Sequence, residues 1–119
     1  MDLLAWLFIA LGGGVGACLR FWLSQIFSKA IPPERFPIAT LIINTIGSFG
    51  FGYSFSHMQN PSFAIIVTTG IMGGFTTFST FAVENITLLE QKAYLRMISY
   101  ILLSVGLGIS AFLIGVRVH

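Results

Sequence analysis

Four long apolar stretches constrain this chain more than any other feature of its sequence. They cover residues 3–27, 36–55, 62–88 and 96–116, and each approaches or exceeds the ~20 apolar residues that a transmembrane helix needs. Only 8% of the residues are charged and 55% are hydrophobic, a balance that would leave a water-soluble fold with exposed apolar surface. The loops are too short to hold another domain. The sequence therefore predicts an all-α integral membrane protein with four transmembrane helices in a single domain, residues 1–119.

The remaining composition excludes several classes of function. The basic residues are scattered, so no basic face indicates binding to nucleic acid. One cysteine, Cys18, permits no internal disulfide, and His57 and His119 are too few for a histidine metal site. No nucleophile and base can be paired from this inventory, so we expect that the protein is not an enzyme.

The basic residues of the loops bear on orientation in the bilayer. Four spans place both termini on the same side, and Lys29, Arg35, Lys92 and Arg96 fall together on the opposite side, while Arg117 lies with the termini. Basic loops prefer the cytoplasm, which favours a cytoplasmic position for the first and third loops. Few charges separate the two orientations, so a population of mixed orientation stays open.

Small residues recur four positions apart in three of the spans. The pairs are Gly12 and Gly16, Gly70 and Gly74, and Ser104 and Gly108. Small residues let helix backbones approach closely in lipid, where no hydrophobic force joins helices. We expect such packing within the chain and also between chains, and therefore an oligomer.

The third span contains the unusual stretch GGFTTFSTF, residues 73–81. Gly73 and Gly74 can break a helix there, since glycine accepts many backbone conformations. The hydroxyls that can bond the freed backbone groups belong to Thr76, Thr77, Ser79 and Thr80. Broken helices are tolerated at membrane depth only where they line a cavity or are buried in protein, and their unwound carbonyls can coordinate Na⁺.

Two phenylalanines follow this predicted break. Phe78 and Phe81 are three residues apart and share a helix face. Phenylalanine rings have a positive edge, so edges turned inward can meet an anion without a full charge. Core packing is the ordinary explanation for such a pair, but the neighbouring threonines and glycines favour a site.

Other polar residues lie within the spans, where they are costly and mark candidate sites. Arg20 either extends to the membrane surface or attracts an anion into a vestibule. Asn44 either bonds a neighbouring helix or lines a pore as a donor. Tyr100 and Ser104 share a face of the fourth span, where serine also bonds readily to its own helix.

Three motifs resemble those of one family. The motifs are GGGVGACLRF (12–21), TLIINTIGSFGFG (40–52) and GIMGGFTTFSTF (70–81), spread over most of the chain. They resemble motifs of the small bacterial fluoride channels called Fluc or CrcB, and the third motif is the most specific. The resemblance implies a fluoride-selective channel in the bacterial cytoplasmic (inner) membrane, which releases fluoride passively and so relieves its toxicity.

The resemblance also implies roles for individual residues. The family's fluoride pathway falls on nine positions: Arg20, Asn44, Phe78, Ser79, Thr80, Phe81, Glu84, Tyr100 and Ser104. The family's central Na⁺, bound by backbone carbonyls at the break in the third helix, falls on Gly73 and Thr76. The implied assembly is an antiparallel dual-topology dimer with two fluoride pathways. The uneven basic residues leave open a homodimer or a heterodimer with an oppositely oriented paralogue.

Two other functions fit a short four-span chain. Small multidrug exporters, which are proton-coupled, also have four spans, but they depend on a glutamate in the first helix. Here Glu84 lies late in the third span, and the first span has no glutamate. An assembly subunit without transport is the other alternative, and the polar stretch in the third span argues against it.

Overall fold

The structure consists of helices that coincide with the predicted spans. The computed structural model describes residues 3–30 and 36–118, so the predicted loop residues 31–35, including Arg35, lie outside the described residues, as does His119. The elements are α1 (Leu3–Ala30), α2 (Ile38–His57), α3 (Pro61–Ile65), a π-helix (Ile66–Met72), α4 (Gly73–Phe75), α5 (Phe78–Glu90) and α6 (Tyr94–Arg117). Within the described ranges no strand occurs, and four helical stretches are long and apolar enough to cross a membrane. The predicted all-α, four-span fold is confirmed.

The third span is interrupted near its middle, as predicted. We call residues 61–75 half-helix 3a and Phe78–Glu90 half-helix 3b. Thr76 and Thr77 between them are extended, with ψ of 160° for Thr76 and φ/ψ of −146°/120° for Thr77. The predicted position of the break was wrong, because Gly73 is helical, with φ/ψ of −62°/−39°, and Gly74 lies within α4.

Local signals in the sequence explain where span 3 begins and ends. Asn60 Oδ1 accepts a hydrogen bond from Phe63 N–H at 3.2 Å, and Pro61 occupies the first helical position, where a missing N–H costs nothing. At the other end Lys92 adopts a positive φ of 57°, and Ala93 N–H donates to the Leu88 carbonyl at 2.9 Å. This is a Schellman ending, which turns the chain directly into α6.

Glycines bring span 1 (α1) and half-helix 3a into backbone contact. A Cβ at Gly16 would lie 2.7 Å from Phe75 N and would overlap the carbonyl oxygen of Ile71. A Cβ at Gly74 would overlap the Gly13 carbonyl in the same way. Of the two glycines expected to break span 3, Gly74 therefore serves close packing. Because the pairs in spans 1 and 3 are used within one chain, they give no separate support for an oligomer.

Span 2 (α2) and span 4 (α6) also pack closely through glycines. A Cβ at Gly52 would overlap the Phe112 carbonyl, and one at Gly115 would overlap the Phe49 carbonyl. Spans 1 and 3a thus form one tightly packed pair, and spans 2 and 4 form another. Half-helix 3b packs against span 4. The break in span 3 therefore lies where the two pairs meet.

Two glycines on span 1 provide a matched test of this packing. Gly16→Ala should lower the free energy of unfolding by about 1–3 kcal/mol, since overpacking forces backbone shifts. Gly14→Ala should leave it within about 0.5 kcal/mol, because a Cβ at Gly14 meets no atom within 4 Å. Thermal unfolding of the two purified variants in detergent measures the difference. Equal midpoints would contradict the packing described for span 1.

Candidate functional site

A groove of about 380 Å³ opens between span 2, the break in span 3 and span 4. Its lining residues are Asn44, Ser48, Phe51, Thr76, Thr77, Phe78, Phe81, Ser104 and Val105. Four residues of the predicted pathway therefore meet here, namely Asn44, Phe78, Phe81 and Ser104. Arg20, Ser79, Thr80, Glu84 and Tyr100 are not among the lining residues.

The prediction of the pathway missed part of the groove wall. Ser48 and Phe51 were not included, although they follow Asn44 by four and seven residues and so share its helix face. This helical spacing is the feature of the sequence that could have identified both residues. Thr77 and Val105 complete the wall, and no pattern in the sequence singled out Val105.

Asn44 holds the break in place through two hydrogen bonds. Its Nδ2 donates to the Thr77 carbonyl at 2.9 Å, and Thr77 N–H donates to Asn44 Oδ1 at 2.9 Å. In an unbroken helix Thr77 N–H would instead donate to the Gly73 carbonyl. Asn44 therefore satisfies both backbone groups of an unwound residue and leaves the Gly73 carbonyl without its usual donor.

Arg20 holds the other side of the break. Its Nε donates to the Gly74 carbonyl at 3.2 Å, in the last turn of half-helix 3a. The C-terminal end of a helix carries partial negative charge, so a guanidinium there is stabilising. The structure thus places Arg20 at the end of half-helix 3a and away from the groove wall.

Hydroxyls cap the start of half-helix 3b. Thr77 Oγ1 accepts from Thr80 N–H at 3.2 Å and donates to Thr80 Oγ1 at 3.0 Å. The Ser79 hydroxyl lies 3.4 Å from Thr77 Oγ1. Ser79 and Thr80 therefore belong to the helix cap. The positive end of the 3b dipole faces the groove, because Thr77 and Phe78 both line it.

The two predicted pathway phenylalanines have unequal surroundings. Their ring centroids lie 6.0 Å apart with planes tilted by 39°. Phe81 packs against Tyr100, with centroids 5.0 Å apart, whereas Phe78 is 78% exposed. Phe81 is thus anchored in the protein core, and Phe78 forms an open edge of the groove.

Tyr100 and Glu84 form a polar pair behind Phe81. Tyr100 is completely buried, and its hydroxyl donates to Glu84 Oε1 at 3.1 Å. Thr40, also buried, lies beside the same pair, and Phe36 packs edge-on against the Tyr100 ring at 5.7 Å. This arrangement supports Phe81 from the side that faces away from the groove.

Ser104 contributes an unsatisfied hydroxyl to the groove. Its Oγ is buried and has no hydrogen-bond partner within the described part of the chain. Leaving a buried polar group unbonded costs free energy. The Ser104 hydroxyl can therefore donate to an ion or a water in the groove without giving up another bond.

The predicted metal ligands Gly73 and Thr76 lie at the C-terminal end of half-helix 3a. Thr76 N–H and Oγ1 both donate to the Met72 carbonyl, at 3.0 and 3.2 Å, and its own carbonyl lies beyond the last helical residue. Among the described residues no group of three His, Cys, Asp or Glu side chains is placed to hold a metal. Free carbonyls at a half-helix end fit a hard cation such as Na⁺.

These features define a four-span membrane protein whose third helix is broken beside an open groove. A family model described as "CrcB-like protein, Camphor Resistance (CrcB)" matches residues 7–116. The chain belongs to this family.

Named fluoride channels of three bacteria align over nearly the whole chain. The chain is 39% identical over 117 residues to "Fluoride-specific ion channel FluC 1" of Halalkalibacterium halodurans, covering 92% of each chain. It is 42% identical over 113 residues to "Fluoride-specific ion channel FluC" of Vibrio cholerae, covering 91% of this chain and 89% of the relative. The protein of the same name from Aeromonas salmonicida is 36% identical, with 94% and 93% covered.

The hydrogen bond behind Phe81 can be tested by removing one hydroxyl. Tyr100→Phe should lower the free energy of unfolding by about 1–3 kcal/mol, because Glu84 loses a donor in a buried environment. Tyr94→Phe is the matched control on the same helix, since Tyr94 is 53% exposed, and it should change stability by less than about 0.5 kcal/mol. Thermal unfolding of both variants measures this. A neutral Tyr100→Phe would show that the bond contributes nothing to the fold.

Proposed function

We propose that this protein is a fluoride-selective channel that releases fluoride passively across the cytoplasmic membrane of a bacterium. The observation that carries the proposal is the meeting of Asn44, Phe78 and Phe81 at one groove beside a broken helix. The names of its relatives, which are fluoride-specific ion channels, support the same function. A passive channel needs no catalytic group, so the proposal includes no enzymatic activity.

The chemistry of the groove suits a small anion. Fluoride holds its water tightly, so a pore must replace that water with donors that bind weakly enough to release the ion. The Ser104 hydroxyl, the second Nδ2 hydrogen of Asn44 and the N-terminal end of half-helix 3b supply donors and positive potential. The phenylalanine edges add positive potential without a charge. None of the nine described lining residues has a carboxylate, whereas rings of acidic residues are typical of cation channels.

The proposal extends to an antiparallel dimer with a structural Na⁺ at its interface. Gly73 is exposed beside the break, and a Cβ there would meet only the Thr68 carbonyl oxygen, 3.6 Å away. One chain offers the Gly73 and Thr76 carbonyls, and two-fold symmetry would bring a second set to the same point. Bound Na⁺ would neutralise the partial negative charge at the C-terminal ends of the two 3a half-helices. A homodimer or a heterodimer with an oppositely oriented paralogue would both satisfy this arrangement.

Replacing the rings tests the proposed pathway. Phe78→Ile and Phe81→Ile should each reduce fluoride release from liposomes by about twofold to about tenfold, since a favourable contact with an aromatic ring is worth about 0.5–1.5 kcal/mol. Phe63→Ile is the matched control, because Phe63 is an exposed phenylalanine of half-helix 3a outside the groove, and its release should match wild type. A fluoride electrode measures release from liposomes that hold the purified protein.

Chloride-loaded liposomes provide the control for selectivity. Fast fluoride release with little chloride release supports the proposed function, while comparable release of both ions would refute the selectivity. Release of neither ion, from folded protein, would refute the channel. Proton release from the protein on addition of lipophilic cations would then favour a multidrug exporter. Unchanged fluoride release in both ring variants would remove the phenylalanines from the mechanism.

A further inference from the structure

The geometry points to Asn44 as the positioning residue that makes the Na⁺ site available and couples it to the groove. This inference rests on the proposed Na⁺ site and adds a role for one side chain in forming it. Asn44 touches both regions, because it lines the groove and bonds the backbone of Thr77 in the break.

The Thr77 N–H group bonds Asn44 and not the helix backbone. Thr77 N–H donates to Asn44 Oδ1 at 2.9 Å, and this bond replaces the helical bond to the Gly73 carbonyl. The Gly73 oxygen can therefore serve as a cation ligand. The bond to Asn44 thus determines whether one of the two proposed carbonyl ligands is available.

Removal of the Asn44 side chain would remove both of its bonds to Thr77. Thr77 N–H and its carbonyl would then both lose their partners within the membrane, where unbonded backbone groups are costly. The nearest remedy is to extend half-helix 3a by one residue, so that Thr77 N–H donates to Gly73. That change satisfies the backbone but takes the Gly73 carbonyl away from Na⁺. Weaker Na⁺ binding is the direct consequence.

Asn44 also links the proposed Na⁺ site to the anion site in the groove. Only one of the two Nδ2 hydrogens is used by the Thr77 carbonyl, so the other can donate to an anion in the groove. Na⁺ on the Gly73 carbonyl favours the broken backbone, and the broken backbone holds the Asn44 amide at the groove wall. Coupling between two binding sites is reciprocal, so fluoride in the groove should favour Na⁺ binding as well.

Arg20 and Ser104 show why Asn44 is distinctive. Arg20 bonds the Gly74 carbonyl at the break but does not line the groove. Ser104 lines the groove, and its Oγ has no hydrogen-bond partner within residues 3–30 and 36–118. Asn44 both lines the groove and bonds the break. Ser104→Ala is therefore the matched control, because it alters the groove and leaves the bonds at the break in place.

The experiment measures thermal unfolding of the purified full chain across a series of NaCl concentrations. Ionic strength is kept constant with N-methyl-D-glucamine chloride. Wild type should become more stable as Na⁺ rises, because a ligand that binds only the folded state raises the unfolding midpoint. In Asn44→Ala the half-saturating Na⁺ concentration should rise at least ~10-fold, which corresponds to about 1.4 kcal/mol of binding free energy. In Ser104→Ala the half-saturating Na⁺ concentration should match that of wild type, even if this variant releases fluoride more slowly.

A wild-type Na⁺ response in folded Asn44→Ala would overturn the inference and leave the proposed channel standing. If Asn44→Ala does not fold, Asn44→Leu replaces it, because leucine has a similar side-chain volume and removes both bonds to Thr77. Asn44→Leu should show the same rise of at least ~10-fold in half-saturating Na⁺ concentration, and a wild-type response there would overturn the inference. No Na⁺ response in wild type would refute both the Na⁺ site and the inference. A response that depends on Asn44, in a protein that releases no fluoride, would support the inference and refute the channel.

Discussion

Every backbone N–H and carbonyl inside a bilayer must find a partner, and this requirement governs the break in span 3. Two side chains from other helices meet it. Asn44 of span 2 bonds both backbone groups of Thr77, and Arg20 of span 1 bonds the Gly74 carbonyl. The groove and the two half-helices depend on these bonds, because the backbone groups that they satisfy would otherwise be unpaired inside the bilayer.

The break also separates two electrostatic environments. The C-terminal end of half-helix 3a presents carbonyls and partial negative charge, and the N-terminal end of half-helix 3b presents partial positive charge at the groove. The two ends of the break can therefore favour a cation and an anion, although none of the described lining residues of the groove has a carboxylate. Arg20 bonds the Gly74 carbonyl at the end of half-helix 3a and so offsets part of the negative charge.

The spans and the presence of a break were predictable from the sequence, since hydropathy and hydroxyl content are local properties. The position of the break was not. Glycine signals both a flexible backbone and a close helix contact, and at Gly74 the second explanation holds, because Gly13 packs against it. The break lies instead at Thr76 and Thr77, where a bond from Asn44, 33 residues earlier in the chain, decides the conformation. No local pattern identifies such a partner.

The two phenylalanines show the same limit within the site. Phe78 and Phe81 have the same residue type and the same predicted face, yet Phe81 rests on the buried Tyr100 while Phe78 is 78% exposed. A pathway wall needs rings held in fixed positions, and one chain fixes only Phe81. The Phe78 ring is therefore open on one side in a single chain, and Gly73 is exposed as well. In the proposed dimer, a second copy that covers both residues would immobilise the Phe78 ring and bring a second set of carbonyls to the break.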